Sequence, residues 1–125
     1  MTNQPTVTIE PRDDVIYALV NQARLDDSAV DRLHGEVLSA AAQKPNVPVV
    51  VDLSHVNYMP SMALGTLVML MRHLKNSERR FVLIGLQHEV RTVLAITRLD
   101  KLFEIQTDLE AALKRIHSST ATPSK

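Results

Sequence analysis

No cysteine occurs in the 125-residue sequence, which excludes a disulfide scaffold, a zinc–thiolate centre and thiol catalysis. Tryptophan is also absent, and two tyrosines and two phenylalanines supply all the large aromatic rings. A platform for stacking nucleobases needs more of them. The three glycines, Gly35, Gly65 and Gly85, are far apart, so no glycine-rich phosphate cradle can form. Neither charge is in excess: 14 basic residues balance 14 acidic ones, whereas proteins that live on nucleic acid or anionic lipid carry a basic surplus. The most apolar stretch, Ala63 to Met71, is interrupted by Gly65 and Thr66. It falls well short of the ~20 residues that a membrane-spanning helix requires. Met1-Thr2-Asn3-Gln4-Pro5 lacks the basic and apolar regions of a secretory signal. The expectation is a soluble cytoplasmic protein with no direct membrane insertion and no nucleic-acid partner.

Catalytic signatures are missing as well. The five histidines, His34, His55, His73, His88 and His117, include no pair at the i, i+4 spacing of a metal clamp. No Gly-x-Ser-x-Gly elbow is present. Ser61 with Asp26 and Asp52 lacks a histidine placed to act as base. Neither an enzyme, a metal nor a cofactor is expected.

What is present is an ordinary globular composition, 45% hydrophobic and 22% charged, of a length suited to one domain. Val7 and Ile9 alternate with polar residues as in an edge strand, and Pro11-Arg12-Asp13-Asp14 is turn chemistry. Val15 to Val20 is β-branched and aromatic, so the two strands form an antiparallel hairpin. Asp26, Asp27 or Ser28 can cap a helix whose apolar positions Val30, Leu33, Val37, Leu38 and Ala41 recur at helical spacing. That helix should stop before Pro45.

Val49-Val50-Val51 marks a central strand buried on both faces. Ser61 opens a second helix with a core stripe of Leu64, Leu67, Val68, Met71 and Leu74, ending at Asn76-Ser77-Glu78. Arg80 to Ile84 reads as a strand, Glu89 to Thr97 as a helix, and Leu102 to Ile105 as a last strand. Thr107 or Asp108 caps a final helix through Ile116. The predicted fold class is α/β, a mixed four- to five-stranded sheet with an antiparallel N-terminal hairpin and about four helices. The domain is expected over residues 6–116, with residues 1–5 and 117–125 as flexible termini.

One segment carries a family signal. Val49-Val50-Val51-Asp52-Leu53-Ser54 leads through a loop to Pro60-Ser61-Met62-Ala63-Leu64-Gly65. It resembles the STAS family of anti-sigma factor antagonists and sulfate transporter domains, whose strand ends Asp-Leu-Ser and whose next helix opens Asp-Ser-Ser-Gly-Leu-Gly. Phe81 to Gly85, Val90 to Leu94, Leu99 to Phe103 and Asp108 to Leu113 are similar to the elements that follow, and Leu25-Asp26 to the Leu-Asp after the second strand. The resemblance implies a STAS-like fold and a bacterial partner-switching regulator of transcription. Its protein partner would be a histidine-kinase-like serine kinase that doubles as the anti-sigma factor.

Ser61 would be the phosphoacceptor, and Asp26, Pro60, Met62, Ala63 and Thr66 would contact the partner. The protein would be a monomer or weak homodimer. Pro60 stands where the family has aspartate, Met62 where it has the second serine, and Ala63 where it has the first glycine. These departures keep open a second reading, a non-switching STAS scaffold or interaction subunit of a stress-signalling assembly or lipid-transport machine. Arg98 stands where the family usually has glycine, at a cost of about 1 kcal/mol if that position needs positive φ.

Simpler roles stand beside these. Ser61 could serve only as the N-cap of its helix, and Asp26 only as that of the first. Met62, Thr66 and Met69 fall on an exposed face of the second helix, although Met59 and Met69 are each expected to be partly buried core. Arg72, Lys75, Arg79 and Arg80 are expected to be a solvated basic cluster.

Overall fold

The computed structural model describes residues 5–121, with side chains placed as far as His117. The order is β1 (Val7–Arg12), β2 (Val15–Val20), α1 (Asp27–Gln43), β3 (Val49–Asp52), α2 (Ser61–Asn76), β4 (Phe81–Ile84), α3 (His88–Ile96), a 3₁₀ turn (Leu99–Lys101), β5 (Glu104–Gln106) and α4 (Leu109–Ala121). One five-stranded sheet runs β1-β2-β3-β4-β5. β1 and β2 are antiparallel, and β2 to β5 are mutually parallel.

The hairpin is tighter than the sequence suggests. Pro11 and Arg12 belong to β1, paired with Ile16 and Val15, and the turn contracts to Asp13 and Asp14, both at positive φ. Such two-residue turns match the twist of the strands, and aspartate tolerates the left-handed region. Pro11 is accommodated because β1 is an edge strand.

Side chains alternate between the two faces of the sheet. On one face, Ile16, Ala18, Val49, Val51, Phe81 and Leu83 pack in the main core with the buried faces of α1, α2 and α3. On the other, Val15, Tyr17, Val50, Val82 and Ile84 meet Ala112 and Ile116 of α4. The three valines of β3 are fully buried, and each such side chain removed from water contributes about 1.5–3 kcal/mol. The buried stripe of α2 is Ala63, Leu64, Leu67, Leu70, Met71 and Leu74, with Val68 at its margin.

Several ends differ from expectation. β4 starts at Phe81 and α3 runs His88–Ile96, each within a residue of the reading from sequence. The last strand moves to Glu104–Gln106, because Leu102 and Phe103 both donate their N–H groups to the Leu99 carbonyl and close the 3₁₀ turn. α4 continues to Ala121, past His117 where a flexible tail was expected to begin. Of the expected flexible termini, residues 1–4 and 122–125 lie outside the described residues.

The basic cluster is only partly solvated. The Arg79 guanidinium donates to the carbonyls of Ala41, Lys44 and Val47 at 2.5, 2.8 and 3.0 Å. α1 has no basic residue in its own last turn, so Arg79 supplies the positive charge that its C-terminus favours. Arg80 forms a bidentate pair with Glu104 at 3.0 and 2.8 Å, joining the start of β4 to β5. Arg72 and Lys75 are exposed, as expected.

Candidate interaction surface at the head of α2

Both α1 and α2 begin at the C-terminal edge of the parallel strands. The segments leading into them are tied together: Arg24 and Tyr58 form a parallel bridge. Leu25 N–H donates to the Tyr58 carbonyl at 2.9 Å, and Asn57 N–H to the Ala23 carbonyl at 2.8 Å. Two residues beyond that bridge on each chain stand the N-caps of the two helices, Asp26 and Pro60. The topology therefore brings Asp26 and the Ser61 loop to one edge of the molecule.

Asp26 does cap α1: its carboxylate accepts from Ala29 N–H at 3.0 Å. Ser61 does not cap α2. Pro60 occupies the N-cap position with extended backbone, and no side chain makes a cap bond there. The Pro60 carbonyl takes the N–H groups of Ala63 and Leu64. Ser61 is thus the first helical residue and is exposed. The first turn carries no acidic residue, which leaves the positive end of the helix dipole without an anionic side chain.

Met62 is 67% exposed and Met69 62%. At i and i+7, with half-buried Thr66 between them, they form one outward stripe. This corrects the expectation for Met69, which turns away from the core because Leu67, Leu70 and Met71 fill the inward face. Met59 is buried. Thr66 Oγ1 donates back to the Met62 carbonyl at 3.3 Å. Ala63 is completely buried in the core, so it shapes the helix packing while Ser61, Met62 and Thr66 form the surface.

The loop is held from below. Asp52 closes β3; its carboxylate accepts from Tyr17 Oη at 2.5 Å and from Ser54 N–H at 2.9 Å. Burial, reinforced by that bond and by the nearby charge of Asp52, pushes the Tyr17 hydroxyl up to about 12. Gly85 follows β4 at φ +71, and a Cβ there would lie 3.0 Å from both Asp52 Oδ1 and Ser54 Cβ. Gln87 Nε2 donates to the Ser54 carbonyl at 2.7 Å. A glycine is needed at this crossing, and the loop from Ser54 to Pro60 is fixed at its root.

Among the described residues, no group of three histidine, aspartate or glutamate side chains is placed to hold a metal ion. Among the same residues, no helix is long and apolar enough to cross a membrane. Sequence reasoning missed the Arg24–Tyr58 contact, in which the guanidinium carbon lies 4.3 Å from the ring centroid. Thirty-four residues separate the two, and no local pattern announces the pairing.

Comparison with known proteins agrees with this architecture. The STAS domain family profile matches residues 5–112. Over 56 residues the chain is 39% identical to a STAS-domain containing protein of Pseudomonas aeruginosa; the match covers 45% of this chain and 55% of that protein, so the chain spans about half of that relative. An anti-sigma factor antagonist from Mycobacterium paratuberculosis superposes with a TM-score of 0.77 at 25% identity, covering 90% of this chain and 93% of the other. RsbS from Moorella thermoacetica superposes with a TM-score of 0.80 at 21% identity, covering 94% and 100%. The profile match extends over most of the sequence: the chain belongs to the STAS domain family.

Proposed function

We propose that this protein is an anti-sigma factor antagonist-like regulator, not an enzyme, acting in the bacterial cytoplasm as a monomer or weak homodimer. It binds a histidine-kinase-like serine kinase that serves as an anti-sigma factor. The contact surface comprises Ser61, Met62 and Thr66, with Pro60 and Asp26 at its edge, and phosphorylation of Ser61 ends the binding. The observation that carries this reading is the position of Ser61: exposed, at the head of α2, free of any capping bond, and next to the outward Met62, which starts the stripe that Met69 continues two turns on. The STAS family membership and the likeness to an anti-sigma factor antagonist support it.

The physics of such a switch is local. A phosphate adds about −1.5 to −2 charges, and the positive end of α2 accommodates it without rearranging the fold. A partner packed on Met62 would have to bury that dianion, which is strongly unfavourable. The test compares unmodified protein with phosphorylated and Ser61→Asp protein. Partner binding should be lost while the melting temperature stays nearly unchanged. Retained binding, or a large drop in melting temperature, contradicts the reading.

Pro60 favours a second reading. It places a rigid, uncharged ring at the position where the family carries aspartate, and Asp26 is already engaged as a cap. A kinase has less acidic surface to recognise here, which suits a non-switching STAS scaffold or interaction subunit. Such a protein would bind its partners through the same stripe whatever the state of Ser61.

A further inference from the structure

Arg24 is exposed, and among the described residues it makes no ion pair and no side-chain hydrogen bond. This holds although Asp26 and Asp27 follow closely in sequence. Asp26 is committed to the Ala29 N–H, and Asp27 sits in the first turn of α1, where the helix dipole stabilises it. The guanidinium instead lies over the Tyr58 ring at 4.3 Å, and Tyr58 is itself 43% exposed. The backbone beneath is fixed by the Arg24–Tyr58 bridge and the Leu25 N–H to Tyr58 carbonyl bond. With its carbon over the ring and no hydrogen-bond partner among the described residues, the guanidinium has N–H donors left to receive a carboxylate in bidentate fashion. Little side-chain entropy remains to be lost when it does so.

Three residues further on is Ser61, and then the exposed Met62 and Met69. Tyrosine, arginine and methionine are the side chains enriched at protein interfaces, and arginine and tyrosine are those whose truncation is most damaging there. A free inorganic anion would have no use for the two methionines; a protein surface uses both features.

We infer that Arg24, preorganised on Tyr58, is the anion-recognising anchor of this surface, and that the partner presents an aspartate or glutamate carboxylate to it beside an apolar contact on Met62 and Met69. The inference rests on the proposed function insofar as it concerns the same surface. It adds the sign of the charge that the partner must carry there.

The test begins with a photo-crosslinking residue in place of Met62 in the full chain, expressed in the native cells, to isolate the protein that sits on this surface. Its affinity is then measured for wild type, Arg24→Glu, Arg24→Lys and Tyr58→Leu, each checked by thermal melting for an unchanged fold. Arg24→Glu should weaken binding roughly tenfold or more. Arg24→Lys should also weaken it, since a point charge replaces the fork, and Tyr58→Leu should weaken it by loss of the platform. Reversing one acidic residue of the partner to arginine should restore binding to Arg24→Glu.

Wild-type affinity for Arg24→Glu, rescue only by reversing a basic partner residue, or no protein crosslinked at Met62 overturns the inference. So does a result in which Arg24 variants alter only the phosphorus resonance of phosphorylated Ser61 and leave binding of the unmodified protein untouched. The two ideas separate cleanly. If Ser61→Asp abolishes binding and Arg24→Glu does not, the switch stands and the anchor falls. If Arg24→Glu weakens binding and Ser61→Asp does not, the reverse holds.

Discussion

Replacing Arg79 by alanine tests how the two halves of the main helical layer are joined. The guanidinium reaches from the exit of α2 to the Ala41 and Lys44 carbonyls at the end of α1 and to the Val47 carbonyl in the loop beyond, three charge-assisted bonds in all. Each hydrogen bond to a charged group contributes about 1.5–3 kcal/mol when its partners stay dry. Here the full sum is not expected. Lys44 is exposed, so its carbonyl can turn to water, and the Ala41 carbonyl keeps the Lys44 N–H at 3.2 Å. What remains is the half-buried Val47 carbonyl, the interaction with the helix end and the packing of the arginine stem. Together these set the expected loss at about 2–3 kcal/mol. With an unfolding entropy near 2.1 cal/mol/K per residue, that lowers the melting temperature by roughly 8–11 °C. Urea and thermal unfolding of Arg79→Ala and Arg79→Lys measure it. Lysine should recover part of the loss, because it restores the charge without the three-way fork. A change within ~0.5 kcal/mol for Arg79→Ala, the range of an ordinary surface substitution, would refute the capping role.

The remaining expectations concern the sheet and its turns. Tyr17 titrates at about 12 in the folded protein against a usual value of 10.0. Its proton is therefore held by the folded state, and the contribution is complete below pH 10 and lost as pH rises from 10 towards 12. Phenolate absorbance should show a component appearing only near pH 12, and Tyr17→Phe should remove both that component and this part of the alkaline instability. Arg98 lies at φ +64, so Arg98→Gly should stabilise the protein by about 1 kcal/mol in urea unfolding; unchanged or lowered stability would show that the arginine side chain compensates. Gly85→Ala should do the opposite, destabilising by more than ~1 kcal/mol, because the added Cβ meets Asp52 and Ser54 at 3.0 Å with φ at +71; wild-type stability would mean that the loop root can yield.

The sequence discloses features written in a single segment. The Val49-Val50-Val51 run specifies a strand buried on both faces, and β3 is that strand. The spacing of Val30, Leu33, Val37 and Ala41 specifies the inward face of α1, and all four are buried. Asp26 as the α1 cap is legible because capping is local chemistry. Features that depend on distant residues are not legible. Arg79 reads as one member of a basic run, yet its bonds lie more than thirty residues away. Glu104 enters β5 opposite Val82 and pairs its carboxylate with Arg80, 24 residues away, while the 3₁₀ turn takes Leu102 and Phe103, so the strand begins later than its apolar run suggests. α4 outruns its expected end because nothing after Ile116 breaks a helix before Pro123.

The surface around Ser61 shows the same division. The serine and its helix are visible in the motif. Its release from capping by Pro60, and the turning outward of Met69 when Leu70 enters the core, follow from how α2 docks. The Arg24–Tyr58 contact exists only because the strand-end segments run side by side.

The most direct test of the proposed switch is the intact mass of the protein taken from its native cells, with a Ser61→Ala version grown alongside through exponential growth and stress. The account predicts a fraction heavier by one phosphate that disappears in Ser61→Ala. A single unmodified mass under every condition would contradict the switch and leave the head of α2 as a constitutive binding surface.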